Sequence, residues 1–176
     1  MAFESIEDFK DLHKGKNCFI ISSGTSLSDL DLSPLERRIT IGLNRSFMAF
    51  PSTTYNCVMD HRLFDLYPEE IKNTRYLFTL EDRPWGIPLK LQGSDGFSFD
   101  LQEGIFSGYT ISYFALQLAI YMGFKRIFFL GLDLKTNKLK RKQLTAINIP
   151  EMANKFIDMI ITQYKPLTRF GRKNIM

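Results

Sequence analysis

Residues 17–26 read NCFIISSGTS. A nearly unbroken apolar run stops at Ser22, and small hydroxylated residues gather around Gly24. The run suits a strand covered on both faces, as in a parallel sheet. A glycine and hydroxyls directly after such a strand stand where an open α/β sheet carries its ligand loop. The spacing is neither G-x-G-x-x-G nor G-x-x-x-x-G-K-[ST], so neither familiar phosphate loop is present. The loop still offers backbone N–H groups beside Gly24, with Ser23, Thr25 and Ser26 at hand. That chemistry can hold a phosphate through a backbone nest, and it equally serves an ordinary strand-to-helix turn.

Working outward, the same apolar signature recurs. ITIGL (39–43), YNCVM (55–59) and RYLFTL (75–80) read as the second to fourth strands, GFSFDL (96–101) as a fifth strand or an edge, and RIFFLGLD (126–133) as a further strand. Between them the pattern turns helical. FESIEDFKDL (3–12) has helical apolar spacing with early acids, and Gly15 closes it. Residues 107–123 form the best helix of the chain, and residues 149–164 a further amphipathic one. Strand, crossover, strand predicts a Rossmann-like α/β fold: a mostly parallel sheet flanked by helices, in one domain.

The bulk numbers agree. At 176 residues one domain can bury roughly 70% of its unfolded surface. Hydrophobic residues at 44% and charged residues at 24% exclude a disordered chain. Sixteen phenylalanines supply much of the core. The formal charge of +4 permits an anionic ligand without identifying one. Cys18 and Cys57 fall in apolar runs and read as buried free thiols, with no histidine at zinc-ligand spacing. The charged start, MAFESIEDFKDLHKGK, has no signal-peptide core. The longest apolar stretch, 110–124, is shorter than the ~20 residues of a spanning helix. The expected location is the cytoplasm, with contact to the inner membrane as an option.

In parallel sheets the ligand lies beyond the carboxyl ends of the strands. The residues expected there are Ser22–Ser26, then Asn44, Arg45 and Ser46, then Asp60, His61 and Arg62, and finally Gly131 and Asp133. Asn44 can donate and accept, which suits a base edge or a ribose. His61 is the histidine nearest this edge and is the candidate general base, with Asp60 beside it. Ser107, with Gly108, opens the long helix as an expected cap whose first N–H groups can face a phosphate. Asp133 can accept ribose hydroxyls. Asp29-Leu30-Asp31 has the D-x-D form of metal-dependent transferases but follows the wrong strand. KTNKLKRK (135–142), with Lys135 and Lys142 at its ends, is a solvated loop or a contact for an anionic membrane. It has no interleaved aromatics of the kind that bind nucleic acid.

Two stretches taken together, CFIISSGTSLSDLDLSPLERRITIGLNRSF (18–47) and GIFSGYTISYFALQLAIYMGFKRIFFLGLDL (104–134), resemble a known superfamily. It comprises the bacterial lipo-oligosaccharide sialyltransferases, the 6-hydroxymethylpterin diphosphokinase-like proteins and the flagellar motility accessory glycosyltransferases. The resemblance covers most of residues 17–134. It rests on the order of a G-N-G-P-S-L loop, an asparagine after the second strand, S-G before an apolar helix, and a G-x-D strand. It implies a sialyltransferase-like variant of the GT-A fold that binds CMP or a CMP-sugar, with no D-x-D metal site and no further cofactor. Carried over by position, it sets Ser23, Gly24 and Ser26 by the phosphate and ribose, and Asn44 beside the nucleotide. Asp60 takes the place of an asparagine near the donor. Ser107 and Gly108 approach the phosphate, and Asp133, with Gly131 before it, the nucleoside. The implied acceptor is a glycan or glycolipid, in a chain that can self-associate. The departures are Ser22 and Ser23 for glycine and asparagine, Thr25 for proline, and Lys135 for an aromatic residue. No histidine follows Asp133, where the sialyltransferases carry their catalytic one. The last residues, TRFGRKNIM, read as a strand cut short. The alternatives are a pterin diphosphokinase-like phosphotransferase using ATP and magnesium, and a nucleotide-binding domain without catalysis.

Overall fold

The computed structural model describes residues 5–133 and the strand Thr145–Asn148. The expected helix at 149–164, the basic run at 135–142 and the terminal stretch 168–176 lie outside the described residues. The five apolar runs become β1 (Asn17–Ile21), β2 (Thr40–Leu43), β3 (Tyr55–Val58), β4 (Leu77–Leu80) and β8 (Arg126–Leu130). Four further strands join them: β5 (Ile87–Leu89), β6 (Leu91–Gly93), β7 (Ile105–Phe106) and β9 (Thr145–Asn148). The main sheet has seven strands in the order β5-β4-β3-β2-β1-β8-β9. All its pairs are parallel except β8 with β9. β6 and β7 form a small parallel ladder of their own. The predicted Rossmann-like α/β fold is present.

This order determines where an open sheet of this kind has its crevice. From β1 the chain steps outward through β2, β3 and β4 to β5. It then crosses back and lays β8 on the other side of β1. Connections therefore leave β1 and enter β8 in opposite senses, which makes the β1/β8 boundary a topological switch point.

One face of the sheet carries Cys18, Ile20, Ile41, Leu43, Cys57, Phe78 and Ile127, buried beneath the helix Ile111–Tyr121. That helix is α3, after the short α1 (Arg62–Leu66) and α2 (Pro68–Lys72). Every residue of α3 from Tyr113 to Ala119 is buried, so it is apolar almost all round. Gln117 is the exception, and it is fully bonded. Its Oε1 accepts from Ser98 N at 3.0 Å and Phe106 N at 3.2 Å. Its Nε2 donates to Phe106 O at 2.8 Å and Tyr113 O at 3.1 Å. One amide thus ties the loop at Ser98 and strand β7 to the core helix. The other face holds two apolar clusters, one around Phe47, Val58, Phe64 and Ile71, the other around Ile21, Leu27, Leu35 and Phe50.

Several expectations are corrected. The helix at 3–12 reduces, among the described residues, to a 3-10 turn, Ile6–Phe9. Asp11 adopts φ 56° and breaks it, and its N–H bonds to Tyr121 O instead. Phe9 is still fully buried, edge-on to Phe78 at 4.9 Å, a burial contributing about 1.5–3 kcal/mol. The segment 96–101 is no strand, because its Ser98 N–H is taken by Gln117. The long helix starts at Ile111, and its cap is Thr110, whose Oγ1 accepts from Tyr113 N at 3.2 Å; Ser107 lies outside it. β5 is a strand beyond those expected; it contains Pro88, a residue that central strands exclude and edges tolerate. Cys18 and Cys57 are buried free thiols, as expected, and burial pushes both well above the ordinary thiol range. Among the described residues no helix is long and apolar enough to cross a membrane.

Candidate functional site

The loop after β1 and the loop after β8 meet at the switch point. Gly24 N–H donates to Gly131 O at 2.9 Å, and Ser22 N–H to Leu130 O at 2.9 Å. Two glycines make this approach possible. A Cβ on Gly24 would stand 2.2 Å from the Gly131 carbonyl oxygen and 2.6 Å from the Asp133 carboxylate. Gly131 itself has φ +66°, which few other residues adopt. The Asp133 carboxylate then bridges the loops. Its Oδ2 accepts from Ser26 N at 2.9 Å and Thr25 Oγ1 at 3.2 Å, and its Oδ1 accepts from Ser26 Oγ. Desolvation alone would raise this carboxyl, but the bonds from Ser26 and Thr25 outweigh it and hold it below the usual carboxylate range.

These bonds alter the expected chemistry. The hydroxyl protons of Thr25 and Ser26, and the Ser26 N–H, all point at an anion that the chain supplies itself. They are not directed at a bound phosphate. A carboxylate at this place repels phosphate and attracts neutral hydroxyls. Ser23 is exposed.

A second group lies at the carboxyl ends of β2, β3 and β4. Asn44 opens a 3-10 turn, Asn44–Met48, at φ 49°. Its Oδ1 accepts from Met59 N at 3.4 Å. Asparagine tolerates the left-handed region better than most residues, which accounts for its place here. The carbonyl of Met59 accepts two bonds from Arg83, from Nε at 3.1 Å and from Nη2 at 2.7 Å. The Arg83 side chain is only 12% exposed, and its Nη1 pairs with Asp82 at 2.6 Å. Sequence reasoning missed Arg83. It sits in a turn, DRPWG, with no pattern around it, and only the return of β4 beside β3 brings it under Met59.

The candidate catalytic pair is placed at this edge but is not poised as expected. Asp60 accepts from Arg62 Nε at 3.0 Å and Nη2 at 2.7 Å, with Arg62 N–H at 3.1 Å besides. The Arg62 side chain is the main reason its carboxyl lies below the ordinary range, so it is a poor base. His61 is exposed, and among the described residues its ring has no hydrogen-bond partner.

Ser107 and Gly108 are held by the small ladder. Ser107 N–H donates to Gly93 O at 2.9 Å and Gly108 N–H to Ser94 O at 3.1 Å. Gly108 has φ +50°, and a Cβ there would meet the Tyr113 ring at 2.3 Å. This glycine therefore has a packing role of its own. α3 leads into β8, which is parallel to the rest, so its N-terminus faces the same edge as the strand ends.

The structure thus joins Gly24, Thr25, Ser26, Gly131 and Asp133 directly, and groups Asn44 with the Met59–Arg62 turn and Arg83. No described hydrogen bond links these two groups to each other or to Ser107 and Gly108. Among the described residues no group of three or more His, Cys, Asp or Glu is arranged to hold a metal ion. No family model, no curated protein and no solved structure matches this chain.

Proposed function

We propose that this chain binds a nucleotide across the carboxyl edge of its sheet, at the β1/β8 switch point, and uses a CMP-linked sugar as a glycosyl donor. The observation that carries this reading is the seating of the Gly24 loop on Gly131 and Asp133 at that boundary. Open α/β sheets collect their ligands there. Asp133 has lone pairs left for ribose hydroxyls. The phosphate, repelled by that carboxylate, belongs toward the first turn of α3, whose dipole favours negative charge. CMP would leave with its charge stabilised by such N–H groups, and His61 would take the proton of an acceptor hydroxyl on a glycan or glycolipid.

A second reading is a nucleotide-binding domain without catalysis. It is favoured by Asp60 being engaged by Arg62 and by His61 having no orienting partner among the described residues. A working base is normally oriented by a third group.

Thermal melts with CMP, a CMP-sugar, and ATP with magnesium test both. At a hundredfold excess over Kd, a true ligand adds about 2.7 kcal/mol, or roughly 5–10 °C in a chain of this size. A shift with CMP that Asn44→Ala reduces supports the site. Turnover of the CMP-sugar that His61→Ala abolishes supports the transferase, and binding without turnover supports the second reading. A shift with ATP and magnesium but not with CMP replaces both with a phosphotransferase. No shift with any nucleotide refutes the site.

A further inference from the structure

Asn56 and Ser46 are both completely buried, yet among the described residues neither amide atom of Asn56 nor the Ser46 hydroxyl has a hydrogen-bond partner. Buried polar groups are rarely left so, because the desolvation cost is then uncompensated. Their neighbours on the same sheet face are satisfied. Thr40 and Thr54 exchange backbone-to-hydroxyl bonds at 3.2 and 2.9 Å, and Thr79 Oγ1 donates to Val58 O at 2.7 Å. The orphaned atoms are also clustered. Asn56 is in register with Gly42, and the turn bearing Ser46 folds back over that glycine. From the point a Cβ on Gly42 would occupy, Ser46 Oγ is 2.6 Å away and Asn56 Oδ1 3.0 Å. The two oxygens are thus no farther apart than the sum of those distances, about the span of two O–H···O bonds through one molecule.

We propose that Gly42, Ser46 and Asn56 form a closed internal hydration site, in which ordered water bridges the Ser46 hydroxyl to the Asn56 amide. Size excludes anything larger, since both side chains are fully buried and Thr53 closes the same point at 2.9 Å. Polarity selects water, which needs two or more polar partners and finds them here. Glycine at 42 is required, because a Cβ there would collide with Ser46, Thr53 and Asn56 and push the polar atoms apart. The site lies between the two apolar clusters of this face and beneath the turn that begins at Asn44. It therefore adds a polar contact to the apolar one that Phe47, clustered with Val58, already gives this turn. The inference does not rest on the proposed nucleotide site.

The test is made on the intact chain in solution. Rotating-frame cross-peaks between the Asn56 side-chain amide protons and a long-lived water are expected in the wild type. Their absence overturns the proposal, as does a direct Ser46–Asn56 hydrogen bond seen in their place. The second measurement is the melting temperature of Asn56→Leu, a change of similar volume. Loss of a hydrated amide lowers it. A rise means that the amide is an unsatisfied group better replaced by carbon, and this too overturns the proposal.

Discussion

Gly24→Ala isolates the contact on which the site rests. Gly24 has φ −70° and ψ 150°, a region alanine occupies freely. On backbone grounds alone the change stabilises the protein by about 0.4–1 kcal/mol, through the unfolded chain. The neighbours reverse the sign. The new methyl would lie 2.2 Å from the Gly131 carbonyl oxygen and 2.6 Å from Asp133 Cγ and Oδ2. A carbonyl in a bonded turn cannot rotate away, so the two loops must part by about 1 Å to restore an ordinary contact. Parting removes the Gly24–Gly131 hydrogen bond and loosens the three bonds to Asp133. Overpacking costs about 1–3 kcal/mol and each lost bond about 0.5–1.5 kcal/mol, the exposed ones at the low end. The net is a loss of roughly 2–4 kcal/mol, or about 5–15 °C in melting temperature. Gly15→Ala is the comparison. Gly15 has φ +80° with nothing within 4 Å of its added Cβ, so only the left-handed penalty of about 1–2 kcal/mol applies. Both are read by circular dichroism melts. A Gly24→Ala protein as stable as wild type, or one less affected than Gly15→Ala, would show that the loops do not meet as described.

Gln117→Leu leaves the N–H groups of Ser98 and Phe106 and the carbonyl of Phe106 without their partner. A loss of about 3–5 kcal/mol is expected in a denaturant titration, and a loss under 1 kcal/mol would contradict the bonding described. His13 stacks on Phe124 at 4.8 Å and lies 2.6 Å, Nε2 to hydroxyl, from Tyr55, whose phenol burial pushes up to about 12. Burial first, and Lys16 second, lower the His13 pKa, so the folded protein holds its neutral form. The unfolded chain takes up the proton first, near pH 6.5. The stabilisation is complete above that value and is lost as pH falls from it toward the lower folded value. His13→Phe should flatten the melting curve between pH 8 and 5, and parallel curves would refute the assignment.

The strands that build the sheet were legible because each is a short apolar run covered on both faces. The switch point was not legible, because the order that places β8 beside β1 is a property of the folded sheet. The connections were not legible. Segments such as 25–29, 33–37 and 44–48 are 3-10 turns too short to show a helical period. β5, which contains Pro88, was not expected, and Ser107-Gly108 read as a helix start while the cap lay at Thr110. At the site the residue types were visible but their pairing was not. Serine, threonine and aspartate at strand ends suggest a ligand. Only geometry reveals that Thr25 and Ser26 are directed to Asp133, and that Arg62 occupies Asp60. Arg83 had no signal at all, since its role depends on two strands lying side by side.

The strand order also has a consequence for synthesis. β1 ends in the middle of the sheet, yet the strand that completes its second side, β8, begins only at residue 126. At ~5–20 residues per second the ribosome delivers β8 roughly 5–20 s after β1. Through that interval the chain can assemble β1 to β5, and the apolar run NCFII is then an open edge. The outer edge at β5 is protected: Leu89 bonds inward through its carbonyl to Glu81 N, so Pro88 faces outward with no N–H to offer an incoming strand. The temporary edge has no such guard. A nascent chain stalled before residue 126 is thus the form of this protein most exposed to strand exchange and to capture by chaperones.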